Sequence, residues 1–301
     1  MIRAFLVRST VTVSEHATAD KISRLRQFFG TARINALDPR PPEKLKHGRK
    51  SKVIEPWFKG VELKEVTTNR ILEFFASKDY KNSSKRHFRE LFHELFLTAL
   101  KSGMYRPDNP YCANPADDLP GFTERDEPIA MLNAAEVAEQ YRAVVSDPLI
   151  SFGCHLMIEG GFRLHEILAL RQADLYHQGK VRLIIPGKQG ASRTKLKTGE
   201  RPVTVLPTLR PVIEGFLASQ DRNERAWCFP SPAGLRMTSD AFGERLRQLN
   251  RKADLSWTTQ DFRHTFATNR IAEGWNLKTL AQEMGTSIAM LQKHSPPFID
   301  P

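Results

Sequence analysis

Residues 160–175 read GGFRLHEILALRQADL. Gly160 and Gly161 precede the first of its two arginines, Arg163, and glycine permits an unusual backbone or a close approach there. Behind Arg163, Leu164, Ile167, Leu168 and Leu170 give the segment a buried side. An arginine held at the edge of a core on a rigid element is placed to grip a phosphate with two parallel donors. A lone arginine near a helix start is more often structural or solvated, so weight must come from elsewhere. Two further stretches supply it. TKLKTGERPVTVLP (194–207) carries Lys197 in a hairpin before a β-branched run, and QDFRHTFAT (260–268) carries Arg263 at the start of a helix.

The bulk composition agrees with a partner rich in phosphate. The 301 residues suffice for two ordinary domains, each with its own core. Hydrophobic residues make up 40%, which is globular rather than disordered. Lys and Arg number 45 against 34 acidic residues, a net charge of +11. Nucleic acid is the leading candidate, since each neutralised phosphate releases counterions; a solvated basic surface is the plain alternative. Cys112, Cys154 and Cys228 form no CxxC pair, which argues against a zinc knuckle or a disulfide framework. They fit reduced thiols in a cytosol. The start, MIRAFLVRSTVTV, lacks a signal-peptide pattern, and no apolar run would span a bilayer. The expectation is a cytoplasmic protein with no membrane partner.

Along the chain, residues 1–13 read as an N-terminal extension. Ile22, Leu25, Phe28 and Phe29 predict a helix from 14 to about 31. Residues 36–52 hold Pro39, Pro41 and Pro42 among six basic residues, and form either a solvated linker or a DNA-contacting arm. A short helix follows at 67–76. The segment 84–102 is the clearest helix of the first half: Phe88, Leu91, Phe92, Leu95, Ala99 and Leu100 make one stripe, with Gly103 as its natural end. Turn signals between 106 and 126, with Asn109-Pro110 and Asn114-Pro115, place a domain boundary. The expected organisation is a helical domain over 14–120, a linker over 121–130 and a second domain over 131–301. The second half predicts helices at 134–145 and roughly 151–170. Strands are predicted at 180–186 and 201–207, with a polar loop between them. Helices return at 239–249, 261–272, 277–284 and 287–294.

These stretches resemble the tyrosine recombinase, or phage integrase, family. GGFRLHEILALRQADL is similar to its first arginine box, and DFRHTFAT to its second. LAQEMGTS (280–287) is similar to the segment leading to the nucleophile, and Asn114-Pro115-Ala116 to the close of its helical domain. The resemblance covers 128–295 strongly and 14–120 more loosely. It implies a mainly α fold with a small β-sheet: a helical core-binding (SAM-like) domain and an α+β catalytic domain. It also implies a mobile-element protein that binds a specific site on duplex DNA as a homo-oligomer, a tetramer in the family. No metal or other cofactor is implied. In that family two arginines clamp the scissile phosphate, which makes Arg163 and Arg263 the expected pair; preorganised guanidiniums meet the charge that develops on the non-bridging oxygens. The family's hairpin lysine protonates the leaving oxygen, and Lys197 takes that place here, with Lys195 as the alternative. DNA contacts are expected from Lys81, Lys85, Arg86 and Arg89 on one helix. Arg245, Arg247, Arg251 and Lys252 are expected from another, and a solvated face is as good a reading of both sets.

Three positions depart from the family pattern. Gln260 stands where the second box usually has histidine; it can donate to a phosphate but cannot shuttle a proton. Thr286 stands where histidine is common, as a phosphate-side donor or as a helix cap for which Ser287 competes. Ser295 stands at the nucleophile position, and the five tyrosines are Tyr80, Tyr105, Tyr111, Tyr141 and Tyr176. A phenol ionises with a pKa of about 10, whereas an aliphatic hydroxyl lies nearer water's value of about 15.7. Serine without a dedicated base is therefore a poor nucleophile. His294 is no such base, since helix neighbours point about 100° apart. Pro296 and Pro297 stop any helix, and the expectation is a truncated or frame-shifted end, or a natural decay product. Three outcomes follow: an active recombinase, a non-catalytic DNA-binding remnant or regulator of the same fold, and an unrelated helical nucleic-acid module. The ordered boxes disfavour the last.

Overall fold

The computed structural model describes residues 1–40, 53–58, 61, 65–106, 114–123, 130–177, 180–181, 183–185, 201–221 and 223–294. Contacts divide the chain into two compact units, Met1–Glu127 and Pro128–Pro301.

The first unit is helical. It contains α1 (Ile2–Thr12), α2 (Glu15–Phe29), α3 (Thr31–Leu37), α4 (Thr68–Ala76) and α5 (Asn82–Lys101). Residues 1–13, set apart above as an extension, belong to this unit's core. Ile2, Phe5, Leu6 and Ser9 lie at i, i+3, i+4 and i+7 and are buried. Arg8 interrupts the apolar run but not the stripe. The helix expected over 14–31 stops at Phe29, because Gly30 takes a positive φ of 79° and the chain restarts as α3. Thr67 caps α4 by accepting the Arg70 N–H. Helix α5 buries the expected stripe, with Phe96 added and Leu100 only partly covered. Phe28 sits at the middle of the aromatic packing. Its ring lies 4.1 Å from that of Phe74 and 4.3 Å from that of Phe92, with Phe58 and Phe88 alongside. Buried Asn114 closes the unit: its amide donates to the His93 carbonyl and its oxygen accepts the Ala116 N–H.

The second unit begins with α6 (Ala134–Val144), capped reciprocally by Asn133 and Glu136. Helix α7 (Pro148–Gly160) is apolar nearly all round and is buried accordingly. The helix expected over 151–170 is in fact interrupted. Gly161 ends α7 in the left-handed region at φ 66°, and α8 (Leu164–Ile167) starts afresh with Arg163 as its first flanking residue. Next come α9 (Gln172–Leu175) and the antiparallel pair β1 (Tyr176–His177) and β2 (Lys180–Val181). A second pair follows, β3 (Leu183–Ile185) and β4 (Arg201–Val203), with Ile185 opposite Arg201. Strand β4 ends at Val203, short of the run expected to reach 207. Helix α10 (Leu209–Ala218) was not read from the sequence, although Leu209, Ile213 and Phe216 bury one face; Pro211 near its start disguises it as a turn. The unit ends with α11 (Ser239–Lys252), α12 (Thr259–Ala272), α13 (Leu277–Met284) and α14 (Ile288–His294). Helix α7 is the central strut, packed against α6, α8, α10, α11 and α12. Among the described residues, no helix is long and apolar enough to cross a membrane.

The α7–α8 break can be tested directly. A Cβ on Gly161 would meet the Phe266 ring at 2.3 Å, and the positive φ is itself costly for alanine. Gly161→Ala is expected to destabilise the chain by about 1–3 kcal/mol in chemical denaturation. Gly215→Ala, inside α10 with no heavy atom near the added carbon, should be neutral or stabilising by about 0.5–1 kcal/mol.

Candidate functional site

Arg163 and Arg263, 100 positions apart, meet at the carbonyl end of α13. Gly161 turns the chain so that Arg163 flanks α8, where its N–H donates to Glu166 Oε2 at 2.9 Å. Its Nη1 donates to the Gly285 carbonyl at 3.0 Å and the Met284 carbonyl at 3.3 Å. Arg263 projects from α12; its Nη2 donates to the same Met284 carbonyl at 2.9 Å and its Nη1 to the Gly161 carbonyl. A third arginine joins them. Arg201, first residue of β4, donates Nε to the Glu283 carbonyl at 2.7 Å. Carbonyls at a helix C-terminus lack intrahelical donors and carry the negative end of the dipole, so they attract cations. Gly285, in the left-handed conformation at φ 61°, ends α13 so that these carbonyls face the arginines.

Glu166 lies beneath them with no exposed side-chain surface. Its Oε1 accepts from Arg201 Nη2 at 3.0 Å and from Arg163 Nη1 at 3.4 Å. Burial would raise its pKa, but the charge of Arg201, the Arg163 N–H and the charges of Arg263 and Arg163 hold it below the ordinary carboxylate value. Arg263 shows the converse. Burial, then the charge of Arg163, lowers its pKa against the opposing pull of Glu166. Three guanidiniums thus surround one buried carboxylate, and the surplus positive charge favours an added anion. Arg163 makes its side-chain bonds through Nη1, so its Nε–Nη2 edge has no acceptor among the described residues. That edge is the fork a bidentate phosphate contact uses.

A cleft of about 360 Å³ opens over the two arginines. Its lining is mixed: polar from Arg163, His165, Gln260, Arg263, His264 and Thr286, apolar from Leu164, Ala267, Met284, Met290 and Leu291. Gln260 is exposed on the second residue of α12. Ser287 Oγ accepts the Met290 N–H at 3.2 Å, so Ser287 caps α14 and Thr286 is left to line the cleft. The described residues hold no group of His, Cys, Asp and Glu that could bind a metal ion.

Of the residues picked from the sequence, Arg163, Arg263, Gln260 and Thr286 line this one cleft. Lys195, Lys197 and Ser295 lie outside the described residues. In the first unit Lys81 and Arg86 are exposed, Lys85 is half-buried, and Arg89 donates to the Ala116 carbonyl at 3.5 Å. On α11, Arg247 pairs with Glu244 and Arg251 and Lys252 are exposed, but Arg245 donates to Asp147 at 2.9 Å, across to the cap of α7. Arg201, His165 and His264 were missed. The two histidines sit beside the box arginines, and that adjacency was a usable signal. Arg201 looked like the first residue of a strand and nothing more.

Glu166 provides a stability test. Its folded pKa is lowered, so its contribution is fully present above the unfolded carboxylate value of about 4.3 and is lost as pH falls through the lower folded value. Glu166→Gln should therefore melt below wild type at neutral pH, with the gap in melting temperature closing under acid conditions. A gap that stays constant down to that range would show that the carboxylate charge does not stabilise the fold.

Comparison with known proteins places this geometry in context. The phage integrase family model matches residues 123–294. Comparison with curated proteins finds no match. Among solved structures, the Tn1549 transposon integrase in complex with circular intermediate DNA is similar at a TM-score of 0.67 and 17% identity, over 97% of this chain and 93% of that one. A lambda integrase dimer bound to a COC′ core site gives a TM-score of 0.68 at 14% identity, again over 97% and 93%. At these identities the structures speak to the fold. The family match spans more than half of the sequence and includes both arginine boxes and the cleft between them, and the chain belongs to the phage integrase family.

Proposed function

We propose that this protein binds duplex DNA at a specific site and seats one phosphodiester against Arg163 and Arg263, as a site-specific recombinase whose covalent step is impaired. The observation that supports it is the convergence of both guanidiniums on one carbonyl at the rim of a cleft. In the reaction, the two arginines hold the non-bridging oxygens and stabilise the pentacoordinate transition state. Lys197, or Lys195, delivers the proton to the leaving 5′ oxygen, while Gln260 and Thr286 donate hydrogen bonds without carrying a proton. Residue 295 is the point of attack on phosphorus, and serine there is the weak element. The protein acts as a homo-oligomer on DNA, without metal or other cofactor. Lys81, Lys85, Arg86 and Arg89 of the first unit and Arg247 and Lys252 of the second contact the phosphate backbone. Arg245 joins them only if it releases Asp147.

A second reading, a DNA-binding remnant or regulator that never cleaves, is favoured by one fact: no tyrosine occurs between residues 177 and 301. Suicide duplexes built from DNA flanking the coding region separate the two. An SDS-resistant adduct that maps to residue 295 supports the impaired recombinase; site-specific binding with no adduct supports the second reading.

Two binding measurements test the assignments. Arg263→Ala should weaken DNA binding by about 10- to 100-fold, the range of a lost charged hydrogen bond; unchanged affinity would remove the clamp. Arg86→Ala should lower affinity for all sequences and reduce the salt slope by about 1. An unchanged slope would take Arg86 out of the interface.

A further inference from the structure

We propose that Arg201 is a positioning residue for the phosphate clamp: it fixes Arg163 through the shared carboxylate of Glu166 and fixes the end of α13 through the Glu283 carbonyl. The inference rests on the reading of Arg163 and Arg263 as a phosphate clamp.

The geometry is specific. The Arg201 side chain is 11% exposed, so it faces into the protein rather than toward a ligand at the surface. Its fork is divided between two acceptors: Nη2 donates to Glu166 Oε1 at 3.0 Å and Nε to the Glu283 carbonyl at 2.7 Å. Glu166 in turn accepts the Arg163 N–H at 2.9 Å and shares Oε1 with Arg163 Nη1. Three residues beyond Arg201, Thr204 Oγ1 donates to Glu283 Oε1 at 2.7 Å, giving β4 a second attachment to α13. Arg201 therefore ties together three elements: α8 with its clamp arginine, β4, and the helix whose end leads into α14.

The energetics favour a positioning role over a spare surface charge. Glu166 has no exposed side-chain surface, and a buried carboxylate is costly unless charged donors surround it. Without Arg201 it loses one of them. Arg163 already shares Oε1 with Arg201, so without Arg201 the pull on Arg163 shifts from the Met284 and Gly285 carbonyls toward the carboxylate. The phosphate-facing edge of Arg163 turns with it. Lysine cannot replace the fork, since an ammonium is a point charge without two parallel donors. It can neutralise Glu166 but not also hold the Glu283 carbonyl in the same geometry.

The test is a double-mutant cycle on the full chain, read by anisotropy with a short mixed-sequence duplex, using Arg163→Ala, Arg201→Gln and the two together. Arg201→Gln alone is expected to weaken binding about tenfold, the worth of one charge-assisted hydrogen bond. In the Arg163→Ala background it should cost less than about twofold, because residues acting through one network are not additive. The salt slope of Arg163→Ala should not change when Arg201→Gln is added, since Arg201 itself touches no phosphate. Arg201→Lys, which keeps Glu166 neutralised, should lose a smaller part than Arg201→Gln, and it carries the same cycle if Arg201→Gln fails to fold. Equal losses in both backgrounds would overturn the inference, because they would mark an independent DNA contact or a general loss of structure. So would unchanged binding by Arg201→Gln. If Arg163→Ala binds as tightly as wild type, the clamp reading itself fails and this inference with it; if only Arg201→Gln is silent, the clamp stands and the positioning role falls.

Discussion

The second unit depends on cations held at the C-terminal end of one helix: three arginines from three separate elements donate to the consecutive carbonyls of Glu283, Met284 and Gly285. A helix C-terminus leaves carbonyls without partners, and most helices resolve this with water or a local cap. Here α13 resolves it with α8, β4 and α12 together. The contact both satisfies the helix and gathers the charge. Each guanidinium has five donors in a fixed plane, so Arg163 can serve the carbonyls with Nη1 and still offer another edge. In the proposed clamp, structure and phosphate binding would use different edges of the same group.

Charge balance explains how three guanidiniums are tolerated side by side. Like charges at this spacing repel, and burial lowers the pKa of Arg263. Glu166 and the carbonyl dipoles offset this locally, and Glu166 remains ionised because those same cations surround it. The arrangement is mutual: the carboxylate makes the guanidiniums tolerable, and they keep it deprotonated. In the proposed reading, a phosphate would join a site whose cations one carboxylate already holds in place, which limits the rearrangement required on binding.

Much of this was legible in the residues. The α5 stripe and the two arginine boxes rest on local rules of residue spacing. What escaped depends on contacts remote in sequence. Helix α1 was hidden because Arg8 divides an apolar run whose stripe is intact. The break after α7 was hidden because Gly161 is dictated by the Phe266 ring, more than a hundred positions away. Arg201 was hidden for the same reason: its role is set by Glu166 and Glu283, which no window around residue 201 contains. Pro211 masked α10, since proline is as ordinary in a first helical turn as in a loop.

The core of the second unit also holds a pair of silent reporters. Cys154 on α7 and Cys228 elsewhere in the same apolar cluster are buried, and burial pushes both thiols well above their ordinary pKa. A thiolate is the reacting form, so both are chemically quiet while the unit is closed. Their alkylation would register only when that core opens, which gives this chain an internal clock for breathing motions that needs no engineered label.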